Sequence, residues 1–165
     1  MIHIEIGKEN PILRKIAEPI KTAEWKKYVN VGKEMLKYIK DPDHGGVGLA
    51  GPQIGVSKRI AVVSLMKDRE DENFATIMML NPEIIEHSEE ITCDFIEGCL
   101  SLPKTKKGYV GRYSDIKLRY FDEQAKEKIL KLSGLAAVIV QHEIDHLDGI
   151  LYIDKLVAGE EAPKK

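Results

Sequence analysis

The chain has 165 residues, 43% hydrophobic and 32% charged, a length that suits one hydrophobic core and a composition unlike that of disordered or fibrous chains. Its formal net charge of −2 supplies no global positive field, so direct nucleic-acid binding is not expected. With no run of about 18 apolar residues and no charged-then-apolar leader, no membrane span is expected and the cytoplasm is the expected compartment.

Asn10-Pro11 precedes Ile12, Leu13 and Ile16, after which Thr22 is placed to cap a helix from Ala23 to about Ile39. Trp25, Tyr28, Val29, Leu36 and Ile39 supply its apolar face. Pro42, Gly45 and Gly46 end that pattern, and a glycine-dense loop follows as far as Gly55. Arg59 to Leu65 reads as a buried strand and Lys67 to Asn73 as a charged, exposed loop. Further strands are expected over Ile77 to Leu80, Glu83 to His87 and Ile91 to Ile96, and the run Lys104, Lys106, Lys107 reads as solvated surface. Ile116, Leu118 and Tyr120 alternate with polar residues, Asp122 to Gln124 turns, and Lys128 to Leu132 returns as the hairpin partner.

Ser133 is placed to cap a second helix that Gly149 ends, and along it Leu135, Val138, Ile139, His142 and His146 share one face. Ile150 to Ile153 is expected as a short buried segment. A single catalytic domain over residues 1–157 and a short charged tail over 158–165 complete the expected organisation, without internal repeats or an interdomain linker. The expected class is α+β, with mainly antiparallel β-sheets packed around a central helix carrying the two histidines.

His142-Glu143-Ile144-Asp145-His146 is a His-Glu-x-x-His pattern on that helix. Four residues along a helix turn through about 400°, so both imidazoles point from neighbouring turns toward one place. Burying them as ordinary core histidines among Leu135, Val138 and Ile139 is costly without strong partners, and a shared metal ion provides them. Glu143 sits about 100° around the helix, able to address a water without ligating the metal. A catalytic site of this kind needs a third protein ligand. The continuation through Leu147, Asp148, Gly149, Ile150 and Leu151 reaches Tyr152 where an extended zinc-protease pattern has histidine, and Glu160 and Glu161 lie in the tail. The third ligand is therefore sought upstream among Cys93, Cys99 and His87. Cys99 stands first, because Glu97 to Pro103 breaks a strand with glycine and proline and leaves its thiol at a bend. Cys93 fits a core position and His87 an exposed one.

Gly46 to Gly55 lacks the lysine and the preceding strand of a phosphate loop, so nucleotide binding is not expected. Its glycines allow close approach of a peptide backbone instead, and Gln53 offers an N–H donor. Gly46 to Gly55, Glu97 to Pro103 and Gln141 to Gly149, in that order, resemble the three motifs of peptide deformylases. Asn10 to Arg14 and Ile116 to Phe121 also look like that family.

The resemblance implies removal of the formyl group from the N-terminal formyl-methionine of nascent polypeptides, with release of formate. It implies Cys99, His142 and His146 as ligands of one divalent ion, ferrous iron foremost, with zinc, nickel and cobalt also accepted. Glu143 is then the general acid and base, and Gln53 with the Leu100 backbone N–H the oxyanion donors. Val47, Gly48 and Gly98 would hold the substrate backbone, and Phe95, Glu97, Leu135, Val138 and Ile139 would line the methionine pocket. Gly51, where the family usually has alanine, is expected to loosen packing. Formylated peptides are the expected partners and a monomer the expected state, while the short C-terminal tail weakens the case for a transient ribosome contact. The competing readings are a small zinc endopeptidase, which would cleave casein, and an inactive binding paralogue, against which Glu143 and Gln53 both argue.

Overall fold

A computed structural model describes residues 2–157; the expected tail, 158–165, lies outside the described residues. Helix α1 spans Trp25–Lys40 and helix α2 spans Gly134–Leu147. The strands are β1 (Gly48–Ala50), β2 (Ile60–Ser64), β3 (Thr76–His87), β4 (Ile91–Thr92), β5 (Ile96–Glu97), β6 (Gly108–Tyr109), β7 (Arg112–Tyr113), β8 (Asp115–Phe121) and β9 (Glu127–Ser133).

Strands β1, β2, β3, β8 and β9 form, in that order, a five-stranded antiparallel sheet, while β4 pairs with β7 and β5 with β6. The period-two alternation of the central strands explains how one sheet serves two cores. Ala61, Val63 and Met79 face a core shared with Ala137, Val140, Ile144 and Leu147 of α2. Ile60, Val62, Met78 and Leu80 face the other, shared with Tyr28, Val29, Met35 and Ile39 of α1. Each fully buried Leu, Ile or Met contributes about 1.5–3 kcal/mol, so both helices are held mainly by this burial. A third cluster joins Leu13, Leu102, Val110, Leu151 and Tyr152 behind the metal-binding candidates. The architecture is the expected α+β one, with mainly antiparallel sheets around α2.

Several local expectations differ in instructive ways. Thr22 does not cap α1: residues Thr22–Glu24 form a 3-10 turn in which the Lys21 N–H donates to Glu24 Oε2 at 3.2 Å, and the α-helix begins at Trp25. The two strands expected on either side of Asn81-Pro82 are one, β3, because Asn81 takes φ 50 and the register shifts between Leu80 and Glu83. The Asn81 side chain secures this kink with hydrogen bonds to both backbone groups of Ile20. The strand expected from Ile91 to Ile96 is instead broken into β4 and β5, with the Asp94 N–H turned back onto Thr92 Oγ1 at 3.2 Å. Ser133 makes no side-chain cap. It ends β9 in extended conformation, and Gly134, at φ 56, turns the chain directly into α2.

Helix α2 is buried around nearly its whole circumference, Glu143 and Asp145 included, rather than on one face. Gln141 shows how a polar residue is accommodated there. Its Nε2 donates to the Tyr113 carbonyl at 2.9 Å and its Oε1 accepts the Tyr113 N–H at 3.0 Å, so the side chain pairs with β7 as another strand would. Gly51 does not loosen packing: a Cβ there would lie 2.7 Å from the backbone oxygens of Val56 and Lys58.

Candidate active site

The helical spacing on α2 sets the His142 and His146 rings with centroids 5.0 Å apart. Beyond β5 the chain turns, the Leu102 N–H donating to the Cys99 carbonyl at 3.0 Å, and this bend brings Cys99 Sγ to 3.2 Å from His146 Nε2. Ligand atoms of Cys99, His142 and His146 all lie within 4.8 Å of one another. One sulfur and two imidazole nitrogens converging in this way fit a tetrahedral cation site with one position left for a reactant. Cys93 and His87 do not join them. Cys93 is half-buried between β4 and β5, and the exposed His87 ring stacks on Tyr113 with centroids 3.7 Å apart.

His142 Nδ1 lies 2.7 Å from Glu97 Oε2, and a carboxylate on the far nitrogen of a ligating histidine fixes both its tautomer and its ring orientation. Glu97 is held in turn by Arg112, whose Nε and Nη2 each donate to it at 2.8 Å. Arg112 Nη1 donates to Asp145 Oδ2, and Lys155 Nζ closes the network on Asp145 Oδ1 at 2.7 Å. Burial opposes charge on Glu97, but the hydrogen bonds from Arg112 and His142 outweigh it and lower its carboxyl from 4.5 to about 2. Burial likewise opposes charge on His142, yet Cys99, Glu97 and the Glu143 charge together raise it to about 10. For His146, burial and the His142 charge act in the same sense and push it well below its ordinary value. Glu97 lines the cavity, and its carboxylate points to His142 and Arg112.

Glu143 is 4% exposed, and burial raises its carboxyl to about 7. Its Oε2 is buried without a hydrogen-bond partner among the described residues, a costly state for a group with no task. Strand β1 presses on it so closely that a Cβ on Gly48 would strike Glu143 Oε1. Gln53 is 2% exposed; its Oε1 accepts the Ala50 N–H at 2.8 Å, which aims Nε2 at Cys99 Sγ, 3.4 Å away, and Ser101 Oγ, 3.3 Å away.

These groups surround a cavity of about 520 Å³. Val47, Gly48, Gln53, Phe95, Glu97, Gly98, Cys99, Leu100, Leu135, Val138, Ile139, His142 and Glu143 line it, while His146, 1% exposed, lies behind the wall. Gly46, Met66, Arg69, Ile96, Pro103 and Lys107 also line it; Gly46 and Pro103 bound two of the sequence motifs, but none of the six is assigned a site role from the sequence. The exposed-loop and solvated-surface readings of Arg69 and Lys107 carried no hint of this. A smaller hollow of about 280 Å³ beside His87 and Lys131 gathers no comparable constellation.

A partnerless buried carboxylate beside a sulfur and two imidazoles, at the floor of a largely apolar cleft, defines a mononuclear metallohydrolase. Residues 5–162 match the family model described as polypeptide deformylase. The peptide deformylase of Streptococcus agalactiae is 37% identical over 170 residues, covering 92% of this chain and 83% of the relative. The crystal structure of the Thermotoga maritima peptide deformylase superposes with a TM-score of 0.82 at 32% identity, covering 95% of this chain and 98% of that one. A class I type b peptide deformylase from Acinetobacter baumannii, with Met-Ala-Ser bound, gives 0.81 at 32% identity, covering 94% and 98%. The chain belongs to the polypeptide deformylase family. No helix among the described residues is long and apolar enough to cross a membrane.

Proposed function

We propose that this chain removes the formyl group from the N-terminal formyl-methionine of nascent polypeptides by hydrolysis. The observation that carries the reading is the unpartnered Glu143 Oε2 in a residue that lines the same cavity as Cys99 and His142, two of the three converging candidate ligands. Cys99, His142 and His146 hold one divalent cation, ferrous iron in the cell, on a donor set that zinc, nickel or cobalt also suits. When bound, that ion supplies Lewis acidity, polarising the formyl oxygen and bringing the pKa of water toward neutrality.

The peptide backbone lies along Val47, Gly48 and Gly98 as an added strand, and the methionine side chain enters between Phe95, Leu135, Val138 and Ile139. Gln53 Nε2, whose contact to the Ser101 hydroxyl is long at 3.3 Å, and the Leu100 N–H donate to the formyl oxygen as negative charge develops on it. Glu143 takes a proton from the water that attacks the formyl carbon; as the C–N bond breaks it delivers that proton to the leaving amine. Burial, which favours the protonated carboxyl, suits Glu143 to hold that proton between the two transfers. Formate and a free α-amino group leave. Monomeric protein is the proposed acting form, with formylated nascent chains as its partners.

The test is formate release from a formyl-methionyl tripeptide, comparing anaerobically purified, iron-loaded protein with Glu143→Ala at equal metal content. Turnover by the parent that falls at least about a hundredfold in the variant supports the reading. Absence of turnover by the loaded parent refutes it.

A further inference from the structure

Two cations stand at the mouth of the cleft, and both lean on the same backbone. Arg69, from the loop between β2 and β3, donates Nη2 to the Ile96 carbonyl at 2.6 Å. Lys107, just before β6, lays its aliphatic stem over Gly98, where an added Cβ would come within 3.0–3.3 Å of Cγ, Cδ and Cε. A side chain at position 98 would displace that stem, so Gly98 and Lys107 fit as a pair. The Ile96 to Gly98 segment leads directly into Cys99, which puts both charges beside the path of a peptide whose formyl end is at Glu143.

The charge at this mouth is one-sided. The two carboxylates lining the cleft, Glu97 and Glu143, are 6% and 4% exposed and lie at its floor, whereas Arg69 and Lys107 are exposed. Among the described residues neither cation belongs to an ion pair. The loop carrying Arg69 also holds four acids, of which Asp68 accepts the Glu70 N–H and Asp71 accepts the Lys67 and Asn73 N–H groups; Glu70 and Glu72 have no such bond among the described residues, and none of the four lines the cleft. Of the charged residues in this loop only Arg69 lines the cleft.

We infer that Arg69 and Lys107 select peptides bearing an acidic side chain within the first residues after methionine. The inference rests on the deformylation reading above and adds a substrate preference to it. The selection acts on binding: an exposed ion pair yields about a two- to fivefold gain for each cation, expressed in KM. It weakens as ionic strength rises, because the pairs are screened.

The test uses metal-loaded full-length protein and two sets of C-terminal amides, which carry no terminal carboxylate: formyl-Met-Ala-X-amide and formyl-Met-X-Ser-amide, with X as Glu, Ser or Lys. The expected order of kcat/KM in at least one set is Glu, then Ser, then Lys, converging at high salt. Arg69→Gln keeps a side-chain N–H for the Ile96 carbonyl, and Lys107→Met keeps the stem over Gly98. Each should lower the ratio of Glu to Lys peptides, and the double variant should bring it near one. Lys107→Glu should push the ratio further toward the Lys peptide. A parent that turns over the Ser peptides yet gives a ratio near one in both sets overturns the selection while leaving deformylation standing. A ratio that survives in the double variant also overturns it, and failure to hydrolyse any of the peptides removes both readings.

Discussion

Replacing Arg112 with Met removes the guanidinium but keeps an unbranched side chain, and it leaves Glu97 without its main counter-charge in a site where both residues are nearly inaccessible. Breaking one partner out of a buried ion pair costs about 3–5 kcal/mol, because the remaining charge stays desolvated. The lowered Glu97 carboxyl points the same way. It falls from 4.5 to about 2 through its bonds to Arg112 and His142 together, and at about 1.4 kcal/mol per pH unit that is on the order of 3 kcal/mol shared between the two partners. For a chain of this length, 3–5 kcal/mol corresponds to a melting temperature lower by about 6–20 °C. Because Glu97 orients His142, cation affinity should also fall about 10- to 100-fold.

The sign of the pH dependence follows from the lowered carboxyl. Glu97 contributes its full stabilisation above 4.5 and loses it as the pH falls toward about 2, so the gap between parent and variant should be widest near neutrality and close on acidification. Arg112→Lys, which keeps charge but not the two-pronged geometry, should fall between the two. Thermal melts of the metal-free proteins from pH 7 to pH 3, with chelator competition for cation affinity, make the measurement. A variant that melts within about 2 °C of the parent and binds metal equally well would refute the reasoning.

Three other outcomes are expected. Gly48→Ala should retain the fold but lower formate release by about a hundredfold, because the added methyl displaces Glu143 from its reactive position; activity assays alongside circular dichroism check this. Treatment with chelator should abolish activity and back-titration with iron, zinc, nickel or cobalt should restore it to different degrees, which ranks the ions directly. His142, raised from 6.5 to about 10, contributes stability to the metal-free chain below 6.5 and loses it as the pH rises toward 10. A cation must displace that proton, so affinity should rise about tenfold per pH unit across that window, with proton release visible by calorimetry in buffers of different ionisation enthalpy.

The readable parts of the site are those whose geometry is local. Two histidines four residues apart on an apolar helix converge on any straight α-helix, and a cysteine between glycine and proline sits at a bend wherever the strand lies. What stayed hidden depends on pairings between distant segments. Arg112 is unremarkable in the sequence, one more charge before a strand. It reaches Glu97 and Asp145 only because β7 runs beside α2, with Gln141 fastening them together. Glu97 entered through a family resemblance as a pocket residue, and nothing in its neighbours tells which way its carboxylate turns.

The same distinction explains the errors in the fold. Asn81-Pro82 is a turn signal on local rules and predicts two strands, whereas in β3 the left-handed Asn81 is absorbed as a bulge, pairing resumes at Glu83, and the Asn81 side chain secures Ile20 alongside. The amphipathic reading of α2 failed on Asp145, which looks like a solvent-facing residue until Arg112 and Lys155 arrive from other elements to neutralise it. A buried acid of this kind is tolerable only as part of a complete network. The network and the cation site meet at Glu97 on β5, which touches both Arg112 and His142, and on α2, where Asp145 stands one position before His146. Stability and metal affinity therefore cannot be tuned separately at these positions. That coupling is why the same Arg112 substitution is expected to lower both, while Gly48→Ala, whose added methyl meets Glu143 first, lowers activity alone.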